Sequence, residues 1–195
     1  MNQEQLEHIA RDIGTPCYVY DAERIRQNYR AIAGAFAGDT PLKICFAVKA
    51  NGNLSVLRLL RELGAGFDVV SGGEMARALR AGAAPDSIVF AGVGKTDAEL
   101  TAALEAGIGW INVESAQELG VLSELAARAG RRQRVALRIN PGVDAHTHSY
   151  MTTGKASNKF GIERDTALDL ARRHADYPGV SIEGVHFHIG SMVTE

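Results

Sequence analysis

Hydrophobic and polar positions along this chain follow a repeat: a short apolar run, a turn, a stretch with apolar residues at helical spacing, then glycine. The apolar runs are LKICFAVKA (42–50), GFDVV (66–70), SIVFAG (87–92), WINVE (110–114), RVALRIN (134–140) and SIEGVHFHIG (181–190). The first five recur at roughly the 20–25 residue span of one strand-plus-helix unit. Strands that alternate with helices pair in parallel, because a parallel neighbour needs a crossover.

Helix boundaries fall in phase with this repeat. Ser71 is followed three residues later by Glu74, Thr96 by Glu99 and Ser115 by Glu118, each a capping-box pattern just after an expected strand. Helices are expected to end near Gly64, Gly82, Gly107 and Gly130. LSVLRLLREL (54–63) and ELTAALEAG (99–107) carry apolar residues at helical spacing. After RVALRIN the pattern changes: a long polar, glycine-containing segment (141–161) precedes a helix expected near 165–174. Long loops after strands are where a β/α barrel builds its site.

Side chains on a strand alternate between two faces. Ile44, Phe46 and Val48 oppose Cys45, Ala47 and Lys49, and Phe67 and Val69 oppose Gly66 and Asp68. Val135, Leu137 and Ile139 oppose Ala136, Arg138 and Asn140; Val185, Phe187 and Ile189 oppose Gly184, His186 and His188. Four strands thus share one rule: bulky apolar residues on one face, small residues plus a polar one near the strand's end on the other. A parallel (β/α)8 TIM barrel accounts for this, with the bulky face against outer helices and the polar residues converging in the lumen at the strands' carboxyl ends.

Composition narrows the class without changing the fold. The 195 residues are 46% apolar and 23% charged, with a formal charge of -2 and both signs interspersed. This is ordinary globular composition, with no basic patch for nucleic acid. No stretch is apolar for long enough to span a membrane, and the acidic, amphipathic MNQEQLEHIARDIG (1–14) does not read as a secretory signal. Cys17 and Cys45 are expected to be reduced, buried thiols in a cytoplasmic protein.

Lys49 falls late in an expected buried strand. Desolvation lowers the pKa of such an amine and makes it a nucleophile suited to a Schiff base with a carbonyl cofactor. A lysine whose tip reaches solvent at the barrel rim satisfies the same pattern. His186 and His188 project from one face; they read either as two satisfied core histidines or, with His146 and His148, as ligands of a metal-dependent barrel hydrolase. No matching carboxylate pattern accompanies them, and no metal is expected.

Several segments carry a family resemblance in order and spacing over nearly the whole chain. They are TPCYVYD (15–21), AVKAN (47–51), FDVVSGGE (67–74), INVES (111–115), RINPGVDAHTH (138–148), NKFG (158–161) and HFHIGS (186–191). Together they resemble the fold-type III pyridoxal phosphate (PLP) enzymes, the alanine racemase-like barrels that include several amino-acid decarboxylases. SGGE, NPGVDAHTH and NKFG are most similar to the diaminopimelate decarboxylase branch.

The resemblance implies that Lys49 carries the cofactor and that His188 lies against one face of its ring. It implies that Ser191 contacts the phosphate and that Asp68 and Arg138 set the cofactor's charge and position. The implied activity is decarboxylation of meso-2,6-diaminopimelate to L-lysine by a cytoplasmic homodimer acting on a small-molecule amino acid. Alternatives are decarboxylation of ornithine, arginine, carboxynorspermidine or a carrier-bound amino acid, racemisation, or a silent PLP-binding carrier.

By the same resemblance about six βα units of the barrel are present. Residues 31–195 are expected to form a partial PLP-binding barrel, and residues 1–30 to include a strand, TPCYVYD, that belongs with a carboxyl-terminal β-domain. A Gly-rich phosphate loop and an acidic partner for the pyridinium nitrogen would come from that remaining part, so residues 1–195 alone are expected to be inactive. HIGSM (188–192) departs from the HIGSQ expected of the family at Met192.

Overall fold

The structure is a computed structural model, and it describes residues 1–36, 38, 41–141 and 160–190. Six parallel strands form one sheet in sequential order, β1 to β6. They are β1 (Cys45–Ala47), β2 (Gly66–Val69), β3 (Ile88–Phe90), β4 (Trp110–Val113), β5 (Gln133–Arg138) and β6 (Val180–His186). Every strand pairs with the next in sequence and in space. This is the arc of a β/α barrel, with six strands of the expected eight-strand ring.

Two helices precede the arc, α1 (Gln3–Ile13) and α2 (Ala22–Ala35), capped by Asn2 and Asp21. Five more follow in the crossovers: α3 (Leu54–Glu62), α4 (Gly72–Arg80), α5 (Asp97–Ala106), α6 (Ala116–Arg128) and α7 (Arg164–Arg172). The polar side chains that start them are local. Asn53 Oδ1 accepts from Ser55 N and Val56 N, and the Ser71, Thr96 and Ser115 hydroxyls accept from the N–H three residues on. Such caps satisfy N–H groups that have no partner within the helix.

The three capping pairs differ in detail. Thr96 and Glu99 form the reciprocal box. Glu74 and Glu118 instead reach one residue further back, to Val70 N and Glu114 N. In both, the carboxylate ties the residue just after the strand to the first turn of the helix. Gly64, Gly82, Gly107 and Gly130 all take positive φ at the helix ends.

The core lies between the sheet's outer face and the helices. Phe67, Phe90, Ile111 and Val135 on the strands, with Leu119 and Leu122 on α6, are fully enclosed. Burial of each such side chain contributes about 1.5–3 kcal/mol. The expected alternation holds on β2 and β5: Phe67, Val69, Val135 and Leu137 face the helices, and Asp68, Ala136 and Arg138 face the lumen.

On β6 the alternation depends on a bulge. Val135 pairs with Ile182, but Ala136 pairs with Gly184, leaving Glu183 as the extra residue. Val180 and Ile182 therefore pack on the core, whereas Gly184 and His186 turn to the lumen. The outward residues beyond the bulge, Val185, Phe187 and Ile189, are 59%, 56% and 46% exposed. No helix among the described residues covers them.

Three expectations are corrected. Lys49 is not in a buried strand, and the rim reading holds instead: β1 stops at Ala47, and Lys49 is exposed in a single 3-10 turn, Val48–Ala50, closed by Asn51 N donating to Val48 O. The last pair of β1 is Ala47 with Asp68, one residue before β2 ends, so the 3-10 turn takes over while β2 is still a strand. β6 ends at His186, opposite the end of β5, so His188 follows the strand rather than sitting in it. Cys17 is exposed, and only Cys45 is partly enclosed. TPCYVYD pairs with no strand among the described residues, as expected of a segment whose partners belong to a further domain, and its Tyr18 and Tyr20 are exposed.

Candidate active site

The carboxyl ends of the strands surround a cavity of about 580 Å³. Lys49, Asp68, Arg138, His186 and His188 all line it, so five side chains read from strand parity meet in one place. Ser191 and Met192 lie outside the described residues, as do His146 and His148. Among the described residues, no group of three or more His, Cys, Asp or Glu side chains is placed to hold a metal ion. A second cavity, about 600 Å³ between α2, β1 and α3, has no lysine, arginine, histidine or carboxylate in its wall and offers no comparable chemistry.

Each group arrives by a different local route. The 3-10 turn after β1 swings Lys49 to the cavity, and its amine has no hydrogen-bond or ion-pair partner among the described residues. Asp68 stands one strand over, in register with Ala47. Burial raises its pKa, and the nearby Lys49 charge opposes that shift. Arg138 ends β5 and is nearly enclosed. Its Nη1 donates to Glu114 Oε1 at 2.7 Å, and its guanidinium lies over the Phe160 ring at 5.0 Å. The pKa values of His186 and His188 are lowered, first by burial and then by the Arg138 charge. Both imidazoles are therefore biased towards the neutral form.

Behind this lining stands a polar frame that the strand reading overlooked. Glu114 follows β4, is 3% exposed, and accepts from Gly92 N at 3.1 Å as well as from Arg138. Lys95 is wholly enclosed and donates to Gly92 O, Asn112 O and Glu118 Oε1 at 2.8, 2.8 and 2.6 Å. Gly92 is thus held through both its N–H and its C=O. Its φ of +104° is a backbone that favours glycine, and the loop it begins forms part of the cavity wall. Glu114 could have been found by the rule that located the others. In WINVE, Asn112 and Glu114 alternate with Ile111 and Val113, and Glu114 ends the polar face. Lys95 carries no comparable signal, since its partners come from three separate segments.

Parallel strands in sequential order, with charged and imidazole side chains gathered at their carboxyl ends, define a β/α-barrel protein with its site at the barrel mouth. The family described as pyridoxal-dependent decarboxylase, pyridoxal binding domain, matches residues 22–195, and the chain belongs to it. Among curated proteins, it is 50% identical over 190 residues to a diaminopimelate decarboxylase of Pseudomonas aeruginosa, covering 97% of this chain and 46% of that one. Among solved structures, diaminopimelate decarboxylase from Helicobacter pylori, complexed with L-lysine, superposes with a TM-score of 0.93 at 42% identity, over 97% of this chain and 48% of that one. Diaminopimelate decarboxylase from M. jannaschii, also with L-lysine, superposes at 0.87 and 38% identity, over 96% and 45%. The chain spans about half the length of these relatives.

Proposed function

We propose that this chain forms the lysine-bearing part of a PLP-dependent decarboxylase that converts meso-2,6-diaminopimelate to L-lysine, the last step of lysine biosynthesis, as a cytoplasmic homodimer. The observation that carries the proposal is the convergence of an exposed Lys49 amine, unpartnered among the described residues, with Asp68, Arg138 and His188 on one cavity. Relatives named for this reaction, two of them crystallised with its product, support the substrate.

The residues present fit a pyridoxal group. An unengaged primary amine facing a cavity of this size suits an aldehyde, and a fixed guanidinium beside it suits an anionic ligand. When bound, pyridoxal phosphate supplies the electron sink for the carbanion that decarboxylation leaves.

The chain's own groups do the rest. Lys49 Nζ would hold the aldehyde of the cofactor at the cavity. The Lys49 charge acts on Asp68 against the effect of burial, so the two groups are electrostatic neighbours in the cavity wall. Arg138, clamped by Glu114 and Phe160, presents a fixed positive charge to the lumen. The bias of His188 towards its neutral form leaves a flat ring able to stack without bringing a second cation. Ser191 is assigned to the phosphate.

The test is carbon dioxide release by the full-length protein from diaminopimelate, ornithine, arginine and carboxynorspermidine. Release from diaminopimelate alone is expected. Release from another substrate but not this one would overturn the substrate, and no PLP binding would overturn the class.

A further inference from the structure

Two buried polar atoms lack a hydrogen-bond partner among the described residues: Glu114 Oε2 and His186 Nδ1. They belong to the same neighbourhood. Arg138 is in register with His186 on β6, and its guanidinium is ion-paired to Glu114 at the end of β4. Three adjacent strands therefore deliver Glu114, Arg138 and His186 at one level of the lumen. The Glu114 charge reaches His186, on which it acts against burial and the Arg138 charge.

A buried carboxylate oxygen and a buried imidazole nitrogen, each left alone, would cost about 1–3 kcal/mol apiece. Joined through one water, both are satisfied: Glu114 offers only acceptors, and a neutral imidazole protonated at Nδ1 offers a donor. A charge-assisted bond of this kind also fixes which nitrogen carries the proton.

We propose that His186 is a positioning residue whose Nδ1–H is joined to Glu114 Oε2 through one bridging water, so that the Glu114–Arg138 pair is held from both carboxylate oxygens. Arg138 and Gly92 N occupy one oxygen, and His186, through the water, occupies the other. The carboxylate then cannot rotate away from the guanidinium, and Arg138 keeps one orientation towards the cavity. His186 acts on the site through Glu114 and Arg138, whereas His188, two residues on, faces the cavity beyond the strand's end.

The catalytic consequence rests on the decarboxylase reading, whereas the hydrogen bond does not. The bond is read in the full-length protein labelled with [15N]histidine, the His186 signal being assigned by its loss in His186→Asn. A neutral Nδ1–H tautomer is expected. An Nε2–H tautomer with Nδ1 unprotonated overturns the proposal, whatever the protein catalyses.

The consequence is read with three variants. Asparagine places an N–H near the Nδ1 position, glutamine places one near Nε2, and leucine places none. His186→Leu and His186→Gln are expected to lower kcat by roughly tenfold to hundredfold, the scale of a misplaced catalytic group, with a smaller change in KM. His186→Asn is expected to recover most of the loss. Equal losses in His186→Asn and His186→Gln overturn the positioning role. If the protein releases carbon dioxide from no substrate while the tautomer is as expected, the decarboxylase reading has failed and the hydrogen bond has not.

Discussion

Two lysines follow two strands of the same sheet and meet opposite fates. Lys95, after β3, is wholly enclosed, with two backbone carbonyls and the Glu118 carboxylate around its ammonium. Lys49, after β1, is exposed, faces the cavity, and has no such partners among the described residues. A lysine read as reactive because it is buried would point to Lys95. With its N–H groups taken by three acceptors in a closed site, Lys95 has no room to meet a carbonyl. An amine at an open cavity, with no competing bonds, is the one free to attack a carbonyl. The two corners differ in exposure, but the partners decide which amine is available.

The sharpest way to break this comparison is to exchange the roles by mutation in the full-length protein. Lys49→Ala is expected to remove all borohydride-trapped cofactor adduct and all turnover, whereas Lys95→Met keeps an adduct at Lys49. Peptide mapping of the reduced protein decides it, and an adduct at Lys95 in either variant would reverse the assignment.

Stability should rank the two lysines the other way. Lys95→Met leaves the Glu118 carboxylate and two carbonyls unpaired in a closed site, at a cost of about 3–5 kcal/mol. Lys49→Ala should change stability by no more than about 0.5 kcal/mol, as an exposed site without partners does. Urea unfolding without cofactor compares them. Beside Lys95, Thr96→Ala removes the hydroxyl that caps α5 and is expected to cost about 1 kcal/mol in the same assay.

The smallest effects expected are those of pH on the cavity itself. His186 and His188 have folded pKa values below the ordinary imidazole value. Their contribution is complete above the unfolded pKa and is lost as pH falls through the folded one, because the unfolded chain binds the protons more readily. Asp68 has the opposite sign. Its folded pKa is raised, so its contribution is complete below the unfolded carboxylate pKa and is lost as pH rises through the folded one. In thermal melts across the acid range, Asp68→Asn should gain on wild type as pH rises through the carboxylate range. His186→Asn should lose less than wild type as pH falls below the imidazole range.

Much of this molecule is decided within a few residues of chain. The hydroxyls at Ser71, Thr96 and Ser115 start helices, and the glycines at 64, 82, 107 and 130 end them, because caps and positive-φ turns are satisfied by neighbours in sequence. The two-residue period of β2 and β5 likewise places Asp68 and Arg138 on the lumen face whatever else the chain does. The rest depends on distant partners. β1 gives way to a 3-10 turn before Lys49, and that decides between a buried lysine and one at the rim in favour of the exposed one. Lys95 draws its acceptors from Gly92, Asn112 and Glu118, which only the folded sheet brings to one point. His186 reaches the level of Arg138 because the Glu183 bulge shifts β6 by one residue, and pairing register is a property of two strands rather than of either sequence.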